Sequence, residues 1–259
     1  VIIYLVFLAI LGIPVLTMEF SVGRAAQRSP VKMYQQLEPK GTKWHIHGVA
    51  AMVGSYILLM FYTTVAGWML RYFFSTASGA LSGLDAAGIS GHFDSVLADA
   101  PMMILFVAIV LAAAVLICSI GLRNGLERVT KVMMLALLAI MVILAINSFF
   151  MEGGEAGLAF YLRPNVEDIQ KVGIGNVIVS AMNQAFFTLS LGMGGMAIFG
   201  SYIGKDRSLL GESVNVALLD TFVAFSSGLI IFPACFTYGL EVTAGPSLLF
   251  DTMAGVFGN

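Results

Sequence analysis

The 259 residues read as an all-α, polytopic transmembrane helix bundle. Three features carry that reading. Hydrophobic residues make up 59% of the chain and charged residues only 11%, against about a quarter charged in a soluble domain, so there is too little polar surface to coat a water-facing body of this size. Six stretches are apolar for about the 20 residues that a helix needs to cross a bilayer core. Alternating apolar and polar runs, the mark of a transmembrane β-barrel, are absent.

The six stretches lie at roughly 1–20, 48–74, 101–120, 129–150, 174–203 and 213–238. Glycines are scattered through them, as expected where membrane helices pack closely. The bias of basic residues orients them. Arg24, Arg28, Lys32, Lys40, Lys43, Arg123, Arg128, Lys131, Lys205 and Arg207 fall in loops on one side. The other side has three, Arg71, Arg163 and Lys171, together with most of the acids. The first side is therefore cytoplasmic, and His45 and His47 are expected in its first loop, with His92 outside. Val1 then starts on the outer side, and one more span is expected upstream. Residues 239–259 read as an outer loop with a short helix over 245–259. The net charge of -2 argues against a nucleic-acid partner, which would favour a basic face. Cys118 and Cys235 are expected on opposite sides of the membrane, unpaired. No signal peptide is expected in the sequence as written, no G-x-S-x-G, Walker loop or zinc spacing is found in it, and no nucleophile–base pair suggests an enzyme.

Chemistry concentrates in two spans. In the fifth, Gly192, Gly194 and Gly195 fall within four residues, each weakening a helix by about 1 kcal/mol relative to Ala. Either this is a close helix crossing or the helix is broken there. A break is tolerated at membrane depth only under protein or around water, and it bares carbonyls for cations. Thr188 and Ser190 precede the glycines, and their hydroxyls either ligate a hard cation such as Na+ or bond to their own helix. In the sixth span, Asp220 stands without Lys or Arg in the same segment. A carboxylate at a helix centre costs at least about 2.5 kcal/mol, so it needs a cation, a proton or a partner, unless it sits near the cytoplasmic end and is hydrated. Glu19 closes the first span and either bonds to exposed backbone elsewhere or pairs with Arg24 at the interface. Tyr62, inside the second span, needs a partner for a buried phenol, a substrate carboxylate or a helix carbonyl.

Gln184-Ala185-Phe186-Phe187-Thr188-Leu189-Ser190-Leu191-Gly192-Met193-Gly194 resembles the broken sixth helix of the neurotransmitter:sodium symporter family, in its bacterial amino-acid branch. Gly12-Ile13-Pro14, Met18-Glu19-Phe20 and Gly23-Arg24 resemble its second helix, and Gly121 to Arg128 the loop into its fifth. The resemblance runs through nearly all of the chain. It implies helices two to seven of a partial inverted-repeat sodium symporter fold, with the remaining helices as partners, in a multi-pass bacterial plasma membrane protein. It further implies sodium-coupled uptake of an amino acid by alternating access, against the alternative of an uncoupled channel-like or regulatory protein. By resemblance Thr188 binds a sodium ion, and Asp220 falls at, or one residue from, the family's Asn for that ion. Asp220 would then replace the chloride that some relatives require. Tyr62 matches the tyrosine on the substrate carboxylate and Phe187 the aromatic lid. Ser190, Gly192 and Met193 match the pocket lining, Leu58 would face the substrate side chain, and Glu19 and Gln184 give structural support. Leu58 and Met193 favour a hydrophobic or aromatic amino acid.

Overall fold

The computed structural model describes residues 1–84, 86–121, 125–151, 153–163 and 166–237. Among them every regular element is helical: α1 (Ile2–Phe7), a π turn (Leu8–Gly12), α2 (Ile13–Ala26), α3 (Pro30–Leu37), α4 (His45–Ala77), α5 (Ala86–Ala98), α6 (Ala100–Ser119), α7 (Glu127–Ser148), α8 (Gly154–Leu162), α9 (Val166–Val172), α10 (Ile174–Thr188), α11 (Gly195–Gly200) and α12 (Leu209–Thr237). Five stretches are long and apolar enough to cross a membrane: Ile2–Ala26, His45–Ala77, Ala100–Ser119, Glu127–Ser148 and Leu209–Thr237. The apolar run at 174–203 instead folds as two helices, α10 and α11, with six residues between them. The expected helix at 245–259 lies outside the described residues. His45 and His47 stand in the first turn of α4 and not in a loop. The Glu38 carboxylate accepts from the His45 amide and from its Nδ1, both at about 3 Å, which starts the helix in a polar stretch that composition reads as loop. The His45 amide, above all, holds Glu38 below the ordinary carboxylate range.

The chain divides into two compact units, residues 1–59 with 165–223 and residues 60–164 with 224–259. In the first unit Leu16, Phe20, Leu189, Leu191, Leu209 and Ala217 form the buried centre. The closest approach is between α2 and α11. A Cβ on Gly23 would fall on the Ala197 carbonyl, and one on Gly200 would lie 2.6 Å from the Phe20 backbone. Thr17 donates to Ser213 at 2.9 Å, and Ser213 donates to the Leu209 carbonyl at 2.9 Å, a hydroxyl chain joining α2 to α12. Pro14 has no N–H to continue the helical ladder, and the turn just before it is π, so Ile2–Ala26 is one rod with a local widening.

The second unit buries Tyr72, Leu81, Ile89 and Val96 around α4 and α5. Arg71 pairs with Asp99 at 3.1 Å, two residues expected on the outer side. Pro233 lies inside α12 and cannot bond to the carbonyl four residues back, that of Leu229. Ser148, 3% exposed, donates to that carbonyl at 2.7 Å. Backbone oxygens in lipid must be satisfied internally, and this hydroxyl answers the gap that the proline makes. Cys118 and Cys235 are free thiols.

Candidate functional site at the break between α10 and α11

Helical pairing stops where three backbone conformations become left-handed. Ser190 has φ +52°, Gly192 +86° and Gly194 +73°. Glycine adopts such angles without strain, whereas an L-residue pays for a Cβ, so the glycines that sequence composition singles out are what the turn requires. The last helical bonds run from the Ser190 amide to Phe187 and from the Leu191 amide to Phe186, at 3.0 and 3.1 Å. They resume from Ile198 to Gly194 at 3.0 Å. The main-chain oxygens in between are released from the ladder.

Two carboxylates address this break from other helices. Asp220 Oδ2 accepts the Thr188 hydroxyl at 2.8 Å, at the last residue of α10. Asp220 stands eleven residues into α12, about 16 Å along the axis at 1.5 Å per residue. The apolar run itself begins near 213, which puts Asp220 about 10 Å into it. Among the described residues its hydrogen-bond partner is the neutral Thr188 hydroxyl, and no Lys or Arg pairs with it. The buried Tyr4 hydroxyl lies beside the same pair, within reach of Asp220, Thr188 and Thr221. Nothing in the sequence around Tyr4 announces that position. Glu19, 9% exposed, accepts the Gly192 amide at 2.5 Å. Its expected alternative, a pair with Arg24, is not formed. Arg24 donates to the carbonyls of Arg207 (2.9 Å) and Gly204 (3.4 Å) instead, because it sits at the loop end of α2 while Glu19 faces α11. His47 stands near enough to act electrostatically on Glu19, and its ring meets Tyr34 edge-on at 5.0 Å. Burial, and then the Glu19 charge, pushes the Tyr34 phenol up.

The first unit thus gathers Glu19, Thr188, Ser190, Gly192, Met193 and Asp220. The Met193 carbonyl accepts the Ser55 hydroxyl at 3.3 Å, tying the break to α4. Leu58 is half-buried on the same helix, while Gln184 is exposed. Phe187, at the other end of the motif, is 58% exposed. Tyr62 belongs to the second unit and is 48% exposed, not the buried phenol that its place in an apolar span suggests. Its segment of α4 turns a broad apolar face outward, with Met60, Phe61 and Tyr62 all exposed. Among the described residues no group of three or more His, Cys, Asp or Glu could hold a transition metal. One carboxylate, a hydroxyl and carbonyls outside the helical ladder are hard oxygen donors, which fit an alkali ion.

The chain belongs to the sodium:neurotransmitter symporter family, whose profile matches residues 1–85 and 91–240. It is a multi-pass membrane protein of a family of transporters, not of enzymes. It is 33% identical over 98% of its length to the sodium-dependent transporter YhdH of Bacillus subtilis, of which it covers 55%. It is 31% identical over 88% of its length to a sodium-dependent transporter of Methanocaldococcus jannaschii, covering 47% of it. To the rat sodium-dependent neutral amino acid transporter B(0)AT2 it is 24% identical over 88% of its length, covering 34% of that protein. The chain therefore spans about half the length of the two microbial relatives.

Proposed function

We propose that the protein takes part in sodium-coupled symport of a neutral amino acid, apolar or aromatic, by alternating access in a cell membrane, and that it needs no chloride. The observation that carries this is the Thr188–Asp220 pair, 2.8 Å apart, at the point where α10 gives way to unwound backbone. A sodium ion there would take the Thr188 hydroxyl, an Asp220 oxygen and carbonyls of the break. The ion would supply positive charge to a half-buried carboxylate in an apolar helix. An α-carboxylate of the substrate, held near the ion and the amides of the break, would complete the shell. Each ligand then raises the affinity of the other by the same factor.

The sodium gradient supplies the work, with about 2.3 kcal/mol per charge added by each 100 mV of potential. Leu58 and Met193 give the pocket an apolar wall, and the neutral amino acid named for the rat relative agrees with that class. Asp220 is already a fixed negative charge beside the ion, so a chloride would add repulsion instead of balance. In proteoliposomes with an inward sodium gradient, uptake of a labelled apolar amino acid is expected to be the same in gluconate as in chloride buffer. A strict chloride requirement would overturn the role given to Asp220, and no accumulation with sodium in either buffer would overturn the coupling itself.

A further inference from the structure

We propose that a basic cavity at the cytoplasmic ends of α2 and α12 binds the phosphate of an anionic phospholipid headgroup. The cavity, about 370 Å³, is lined by Ser21, Arg24, Ala25, Lys205 and Leu209. That volume lies in the range of small-ligand sites. Arg24 is in the last turn of α2 and Leu209 is the first residue of α12, and both helices belong to membrane-crossing stretches. The cavity therefore sits where two spans leave the apolar core, on the side that carries ten of the thirteen basic residues.

Arg24 is held in place. One of its nitrogens donates to the Arg207 and Gly204 carbonyls, and a guanidinium has five N–H donors in a rigid fork suited to phosphate. Lys205 is exposed on the facing loop and supplies the second charge. Arg207 does not count toward it, because it pairs with Glu212 at 3.2 Å. Asp206 adjoins Lys205 in the chain, so selectivity for an anion rests on Arg24 and Lys205 together. The Ser21 hydroxyl donates to the Met18 carbonyl at 2.7 Å and is not counted as a donor, while Ala25 and Leu209 give an apolar border that suits a lipid and not a free phosphate ion. Basic pockets between spans on the cytoplasmic side are known to recognise acidic headgroups. The assignment is independent of the sodium site, since neither of its two charges, Arg24 and Lys205, belongs to that site.

The test is native mass spectrometry of the purified protein in detergent, titrated with phosphatidylglycerol, with phosphatidylcholine and with inorganic phosphate. Phosphatidylglycerol is expected to be retained about fivefold better than phosphatidylcholine, the factor of one cation near an anionic surface. Lys205→Gln is expected to remove that preference. It is the informative variant because Lys205 makes no described hydrogen bond, whereas losing Arg24 would also release the loop. Lys40→Gln, on the same membrane side but outside the cavity, should change nothing. An equal loss in Lys40→Gln would show general surface charge and overturn the site. Binding of inorganic phosphate that depends on Lys205, without preference for phosphatidylglycerol, would overturn the lipid as its ligand.

Discussion

Asp220→Asn is expected to weaken apparent sodium affinity on the order of 10- to 100-fold, the scale of one charge-assisted contact of about 1.5–3 kcal/mol. The amide keeps the shape of the carboxylate and still accepts the Thr188 hydroxyl, now 2.8 Å from Asp220 Oδ2, so the helices stay in place while the charge goes. Sodium titration of substrate uptake or binding reads the effect directly. Because sodium and substrate are reciprocally linked, substrate affinity at fixed sodium should fall as well, and high sodium should restore it. A variant that titrates with sodium like the parent would mean that Asp220 is satisfied by Thr188 alone and plays no part in the ion's shell.

The second large effect is on the fold. A side chain at Gly23 would overlap the Ala197 backbone carbonyl, which cannot swing aside as the tip of a side chain can. Gly23→Leu should therefore force α2 from α11. Overpacking alone costs about 1–3 kcal/mol, and a backbone clash stands at the top of that range. Against it, replacing Gly in a helix gains at most about 1 kcal/mol of propensity, so the clash wins. At about 3 kcal/mol the melting temperature should drop by roughly 6–12 °C. Gly54→Ala, where nothing lies within 4 Å of an added Cβ, should be neutral or slightly stabilising. Equal melting temperatures for Gly23→Leu and the parent would show that α2 and α11 are not in this contact.

What the sequence made legible follows from how local each cause is. Apolar length is a local property, and so five of the expected spans correspond to unbroken helical rods. The glycine cluster is also local, and it marks the break at 189–194, since left-handed φ at Gly192 and Gly194 is a demand on those residues themselves. Asp220 stands out because a charge in an apolar run is conspicuous wherever its partner lies. The partners were not legible. Glu19 and Gly192 are 173 residues apart, Ser148 and Leu229 are 81 apart, and only the packing of helices brings each pair together. Tyr4 gave no signal, for an aromatic near the start of an apolar run is ordinary. His45 and His47 were misplaced in a loop because their helix starts on a distant carboxylate, Glu38, and not on a local cap.

The account rests on main-chain oxygens between α10 and α11 that serve an ion and not a helix. Hydrogen exchange of the peptide spanning residues 186–197, followed by mass spectrometry in sodium and in potassium, reads that most directly. The amides of Met193 and Gly194, which make no described hydrogen bond, are expected to exchange much faster than those of α10 in potassium, and to become protected in sodium but not in the Asp220→Asn variant. Protection equal to that of α10 in both salts, with no response to sodium, would contradict it.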